Sequence, residues 1–350
     1  MKLMSSQAYQ LLFLTERSPH HQQAALEAAP TGVTVTMLRA PDRATILTLL
    51  PQMDFLISER AGVIDAEMIA AAQRLRLIQR LGSLTYDIDV ATAHARGIPV
   101  CTWPIEGCIL VAEHLVMQML ALVKRLPEAK AMTETVQDWG RPSRRTDENT
   151  FAYNWTNRRA VGGLYQKSVG IVGFGEIGAE LARCLRGFRP AQVLYNKRRR
   201  LPERVEAELG ITYASEETIF AQSDFLCNLL PFSAETELHL NRAVFEQMKR
   251  GAFLVSCGSG GTIQEADVAV ALQTGQLGGA ALDTYEWEPL PPDNPLVQLA
   301  REKSANVLLT PHIAFGVRTK EYEAWRSDDY TNILRWLTKE PLLYEVSPTG

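Results

Sequence analysis

The chain is poor in the features that would tie it to a membrane, a nucleic acid or an oxidising compartment. Its five cysteines, Cys101, Cys108, Cys184, Cys227 and Cys257, are odd in number and show no CxxC spacing. That argues against a disulfide framework or a structural zinc site and for a reducing, cytoplasmic setting. Long apolar runs are scarce as well. The stretch "CILVAEHLVMQMLALV" is broken by Glu113 and His114 and reads as too short to span a bilayer, and the N-terminal "LLFL" is too short for a signal-peptide core. Charge of one sign is missing too. A net charge of -4 gives no electrostatic reason to expect nucleic acid or a membrane surface as partner. What remains is ordinary for a globular protein, 46% hydrophobic and 22% charged residues. With 350 residues there is material for two cores.

Short apolar runs alternate with helical patterns through the first hundred residues. Strands are expected at Tyr9–Leu14, Val33–Leu38, Phe55–Ser58, Leu77–Leu81 and Ile98–Cys101, with "HHQQAALEAA", "ATILTLLPQ", "DAEMIAAAQ" and "DVATAHARG" as the helices between them. Such alternation implies right-handed crossovers and a mostly parallel α/β sheet. A helix is expected over 111–135. A polar arm at about 138–166 follows, whose Phe151, Tyr153 and Trp155 need a surface to bury, on a second subunit or a neighbouring domain. The alternation restarts at Ser168, with strands at 168–173, 192–196, 224–230, 252–257, 279–284 and 306–310. The tail "RTKEYEAWRSDDYTNILRWLTK" reads as one long amphipathic helix.

Gly173-Phe174-Gly175-Glu176-Ile177-Gly178 is a GxGxxG between an apolar strand and an amphipathic helix, with a second strand ending about twenty residues on. In that context it is a dinucleotide fingerprint. The first glycine permits the turn, the second lets a pyrophosphate approach, and the third lets helix and strand pack. The helix N-terminus offers N–H groups and partial positive charge to phosphates. Where an NAD site usually has an acid for the ribose hydroxyls, this chain has Asn196 and Lys197, then Arg198, Arg199 and Arg200. No carboxylate repels a 2′-phosphate and several cations are placed to bind one, so of NAD and NADP the residues favour NADP. Taken alone, such a charge run is also a solvated helix start.

Farther on, "GAFLVSCGSGGTIQEAD" carries a strand into Gly258-Ser259-Gly260-Gly261 and then Thr262-Ile263-Gln264-Glu265, which reads as a capping box. A loop of this kind either holds an anion on its N–H groups or is a tight turn without chemistry. The residues leave both open.

In this order, "LIQRLGSLTYDIDVATAHARGIPVCTWP…VAEH", the fingerprint, "LLPFSAETELHLNRAVFEQMKRGAFLVS" and "GAALDTYEWEPLPPDNPL…NVLLTPHIAF" resemble the D-isomer-specific 2-hydroxyacid dehydrogenases over nearly the whole chain. The resemblance implies two doubly wound parallel-sheet domains. One is a flavodoxin-like substrate domain, residues 1–112 and 316–350; the other is an inserted Rossmann dinucleotide-binding domain, residues 113–315. The active site is expected in the cleft between them, and a homodimer is implied. The implied chemistry is hydride transfer between NAD(P)H and C2 of a 2-oxo or 2-hydroxy acid, a small-molecule substrate. His312 in "TPHIAF" matches the acid/base, for which imidazole suits because its ordinary pKa lies near neutrality. Glu288 matches its carboxylate partner. Asp283 matches the residue that holds the nicotinamide carboxamide, and Leu230, Pro231, Cys257 and Gly258 fall among the cofactor contacts. No metal site is expected: His20 and His21 do not share a helical face, His94 and His239 lack ligand-spaced partners, and His114 reads as structural.

One position departs from the family pattern. Ser259 stands where the resemblance places an arginine that grips the substrate carboxylate. A guanidinium makes two charge-assisted bonds there, whereas a hydroxyl offers one neutral donor. The loss should cost on the order of 2–4 kcal/mol of binding. Three readings stay open. Another cation grips the carboxylate, with Arg60 after "FLISE" and Arg80 before the Gly82-Ser83-Leu84-Thr85 loop as candidates. Or the pocket is remodelled for a different group, as Leu84 and Gly107 suggest. Or the chain binds a dinucleotide as a sensor or scaffold without turnover, against which the presence of both His312 and Glu288 weighs.

Overall fold

Strand alternation becomes two parallel sheets in the computed structural model, which describes residues 8–59, 62–135, 140, 142–151, 153–302, 305–316 and 326–347. The chain divides into two units, Met1–Glu106 with Val317–Gly350, and Gly107–Gly316. The division falls at 106/107 rather than 112/113 because the helix Glu106–Val123 starts against the second unit. The ring of Phe315 lies so close to Gly107 that a Cβ there would meet it at 1.7 Å.

In the first unit, β1 (Tyr9–Thr15), β2 (Val33–Arg39), β3 (Phe55–Glu59), β4 (Leu77–Leu81) and β5 (Val100–Trp103) form a parallel sheet in the order β2-β1-β3-β4-β5. This is the flavodoxin-like order, whose chain direction reverses between β1 and β3. Successive side chains point to opposite faces. Leu12, Leu14, Leu56 and Ile78 therefore pack on Ile46, Met68 and Ile69, while Leu11, Phe13, Phe55 and Ile57 pack on Ala25, Tyr330 and Ile333. With both faces covered, the strands read as continuous apolar runs.

The C-terminal segment thus covers one face of the first sheet. Its described part is a 3-10 turn, Arg326–Tyr330, followed by a helix, Thr331–Thr338, in place of the single helix expected; residues 317–325 lie outside the described residues. A buried charge cluster ties it down at the carboxyl ends of β1 and β3. Arg326 forks onto Glu59 at 3.0 and 3.1 Å, Arg17 Nε reaches Glu59 at 3.1 Å, and Thr15 Oγ1 donates to it at 2.9 Å. Arg326 Nε also lies 2.7 Å from Asp329. Burial acts to raise the Glu59 carboxyl, but the Arg326 fork, Arg17 and Thr15 overcome it and hold it down at about 2. Asp329 has no guanidinium to itself. Burial, reinforced by the charges of Glu59 and Asp328 against the pull of Arg326 and Arg17, pushes its carboxyl up to about 7.

In the second unit, β6 (Ser168–Val172), β7 (Gln192–Asn196), β8 (Thr212–Tyr213), β9 (Phe225–Asn228), β10 (Ala252–Ser256), β11 (Leu277–Leu282) and β12 (Val307–Leu309) form a parallel sheet in the order β12-β11-β10-β9-β6-β7-β8. Its direction reverses between β6 and β9, so the carboxyl end of β6 is the switch point where such sheets bind ligands. The helix expected over 111–135 is two helices, Glu106–Val123 and Leu126–Glu134. Arg125 is left-handed (φ 51°) and Pro127 stands in the new first turn. A proline fits a first turn but clashes inside a helix. By length and hydropathy Glu106–Val123 would reach across a membrane. Here Val111, Leu115, Met119 and Leu122 are buried in the protein.

Candidate active site

The fingerprint forms at the end of β6. Gly173 turns with φ 80°, and a Cβ there would come within 2.5 Å of the Leu229 and Leu230 backbone. Phe174 donates its N–H to Asn196 O (3.0 Å) and packs its buried ring, tilted by 53°, 4.8 Å from that of Tyr195. Gly178 passes under the Phe174 ring, where a Cβ would stand 2.8 Å from it. Gly175 differs from both: a Cβ there would meet nothing within 4 Å. It precedes the eleven-residue helix Glu176–Arg186, so the open position at Gly175 lies at a helix N-terminus. This is the cradle a pyrophosphate needs, and the residues present fit a dinucleotide.

At the end of β7 the basic run divides. Arg200 forks onto Glu206 at 2.8 and 2.7 Å, and Glu206 also accepts from the Tyr195 hydroxyl, so Arg200 is committed to the fold. Asn196 Nδ2 donates to Ala214 O (2.9 Å), and Lys197 is half-buried. Arg198 and Arg199 are exposed and bind no other described residue.

The glycine-rich loop after β10 is shaped by close packing. A Cβ on Gly258 would sit 2.9 Å from the Leu230 backbone, and one on Gly260 would fall 1.9 Å from Tyr285 O. The N–H groups of Gly258 and Ser259 donate to Asn228 O and Leu230 O. Thr262 does not cap the next helix. Its Oγ1 donates to Ser259 O (2.6 Å), the segment Gly260–Thr262 is a 3-10 turn, and the α-helix begins at Glu265. The turn reading therefore describes this loop better than an anion nest. Ser259 Oγ accepts from Phe232 N at 3.0 Å. Pro231 O accepts from Thr236 Oγ1.

Asp283, fully buried at the end of β11, fixes the next segment. Its Oδ1 accepts from Thr310 Oγ1 (2.6 Å) and Ile313 N (3.0 Å), and its Oδ2 from Ala314 N (2.8 Å). His114 Nε2 lies 3.1 Å from Thr310 Oγ1, and Cys257 Sγ donates to Gln118 Oε1 at 3.7 Å. His114, Cys257 and Asp283 offer ligand atoms within 4.8 Å of one another. Both Asp283 oxygens are already spent on backbone and hydroxyl donors, and burial pushes the Cys257 thiol up, away from the thiolate a metal takes. Burial lowers His114, with Asp283 opposing, which keeps the imidazole neutral.

Held between Asp283's partners, His312 adopts φ 53° and sets Nδ1 2.8 Å from Glu288 Oε2. Glu288 Oε1 accepts from Tyr285 N at 3.0 Å, which orients the carboxylate. His312 Nε2 has no partner among the described residues and the ring is 56% exposed. An imidazole held at one nitrogen in this way can exchange a proton at the other.

In the first unit, Arg80 lies buried in β4 with its guanidinium on Asp87, and its Nε has no hydrogen bond. Ser83 and Leu84 follow it, half-buried. Arg60 lies outside the described residues. The sequence reading passed over Thr310, Tyr285 and Phe232. Thr310 carried a usable signal, standing two residues before His312.

A parallel sheet with an open fingerprint at its switch point, and a carboxylate-held imidazole in the same unit, defines an NAD-binding α/β dehydrogenase fold. Residues 116–314 match the model of the D-isomer specific 2-hydroxyacid dehydrogenase NAD binding domain, and the chain belongs to that family. It is 29% identical to D-3-phosphoglycerate dehydrogenase of Archaeoglobus fulgidus over 91% of this chain and 56% of that one. It is 34% identical to glyoxylate reductase of Thermococcus kodakarensis over 79% of each. The chain thus spans little more than half the length of the phosphoglycerate dehydrogenase. Among solved structures, a protein from Pyrococcus horikoshii OT3 superposes with TM-score 0.55 at 25% identity, covering 97% of this chain and 95% of the other.

Proposed function

We propose that the chain transfers a hydride between NAD(P)H and C2 of a 2-oxo or 2-hydroxy acid, in a cytoplasmic setting. The observation that carries this is the His312–Glu288 pair, oriented at one nitrogen and without a described partner at the other. NAD(P)H, when bound at the fingerprint, supplies the hydride. In the reducing direction protonated His312 gives its Nε2 proton to the carbonyl oxygen, and Glu288 stabilises the imidazole's position and charge; in the oxidising direction neutral His312 takes the proton back. Asp283 holds the 310–314 segment by accepting from the Thr310 hydroxyl and the Ile313 and Ala314 backbone N–H groups, so the imidazole starts from a fixed place.

Arg198 and Arg199, exposed and uncommitted, support NADP(H) as the cofactor. Replacing both with alanine should raise KM for NADPH several-fold more than KM for NADH. The exposed Phe151 and Tyr153 of the arm support a homodimer, to be read by sedimentation. The first experiment follows oxidation of NADPH and NADH with glyoxylate, hydroxypyruvate and branched 2-oxo acids. Turnover that vanishes on replacing His312 supports the reading. Silence with bound cofactor favours a dinucleotide-binding sensor, for which the uncharged Ser259 is the supporting observation.

A further inference from the structure

Ser259 stands where a cation is expected, and its own contacts show what it does instead. Its hydroxyl accepts the N–H of Phe232 at 3.0 Å, and its N–H donates to Leu230 O at 2.9 Å. One residue therefore staples both ends of Leu230-Pro231-Phe232. The Phe232 ring lies over Gly261, where a Cβ would stand 3.0 Å from it, so the missing side chain is room for the aromatic. Yet Phe232 is 58% exposed: it is held in place and left unburied.

This segment is joined to the acid/base pair within the same unit. Thr284 Oγ1 donates to Gly258 O at 2.6 Å, Gly260 presses on the Tyr285 backbone, Tyr285 N holds Glu288, and Glu288 holds His312. Neither 229–236 nor 257–263 contains a lysine or arginine. The surface Ser259 organises is aromatic and carries no cation, Glu235 being the one charged side chain of the two segments, and an apolar ring gains by leaving water.

We propose that Ser259 is a positioning residue that fixes Phe232, and that Phe232 selects substrates whose reacting carbonyl bears an aromatic or branched aliphatic group over small 2-oxo acids. The proposal rests on the hydride-transfer reading given above. It assigns Ser259 to the shape of the site rather than to the substrate's charge.

The test compares kcat/KM for phenylpyruvate and glyoxylate in the native chain and in Phe232→Ala, Ser259→Ala and Ser259→Thr. The native chain should prefer phenylpyruvate. Phe232→Ala should reduce that preference at least about ten-fold, the scale on which apolar pockets discriminate. Ser259→Ala should reduce it in the same direction, and Ser259→Thr, which keeps an acceptor oxygen, should restore it. A native preference for glyoxylate, or a ratio unmoved by Phe232→Ala, overturns the proposal. If no acid is turned over, the hydride-transfer reading fails, and calorimetric binding of phenyllactate and glycolate to the chain with NADP⁺ decides the selection. Tighter phenyllactate binding that Phe232→Ala removes supports it; equal binding in both proteins overturns it.

Discussion

Each sheet ends in a carboxylate paired with a basic side chain, and the two pairs are built to opposite specifications. Glu59 and Arg326 have side chains only 3% exposed, with Thr15, Arg17 and Asp329 closing around them. Glu288 and His312 are 37% and 56% exposed, and one ring nitrogen has no described partner. The first pair fastens the C-terminal segment to β1 and β3. The second has an atom to spare, and that atom is what acid–base work needs. Burial marks the structural pair, whereas partial exposure and a ring nitrogen without a described partner mark the pair proposed for acid–base work.

Four measurements sharpen or break this contrast. His312→Asn, chosen because Asn tolerates the left-handed backbone, should lower kcat by about 10²- to 10⁴-fold while the urea midpoint stays put. A stability loss with normal turnover would reverse the assignment. Glu59→Gln leaves Arg326 buried without its fork partner and should cost about 3–5 kcal/mol of stability, read by urea unfolding.

Asp329→Asn addresses the sign of the pH dependence. Because the folded Asp329 carboxyl lies at about 7, above its unfolded value, its stabilising contribution is complete at low pH and is lost as pH rises through about 7. Glu59, held at about 2, contributes above the ordinary carboxylate range and loses that contribution as pH falls toward 2. Asp329→Asn should therefore flatten the decline in stability between pH 5 and 8, a change on the order of 2–4 kcal/mol. An unaltered slope would show that Asp329 is ionised in the fold. The smallest effect is expected from Glu288→Gln, a 10- to 100-fold fall in kcat, on the order of part of the acid–base contribution.

Much of this was legible in the residues. The strand-then-glycine run at 168–178 is local, and local pattern decides it: the turn, the open position at Gly175 and the helix start follow from residue type. Pro127 also announced the helix break, but apolar periodicity across 111–135 concealed it. Partners far apart in sequence were not legible. Nothing in "LYNKRRRLPER" separates Arg200, committed to Glu206, from the uncommitted Arg198 and Arg199. Arg80 read as a spare cation because Asp87 is brought to it only by the turn after β4. The glycines at 258 and 260 left an anion nest and a tight turn both open, and the fold fills their space with the backbone of Leu230 and Tyr285.

The contact between Gly107 and Phe315 also constrains the order in which this chain can change. Any side chain at 107 collides with the ring at 315, since even a methyl group would fall within 1.7 Å of it. A path that alters position 107 first meets a clash, and one that shortens position 315 first opens room at position 107. The two positions form an epistatic lock with one easy direction of opening, and the effects of their single and double replacements will not add.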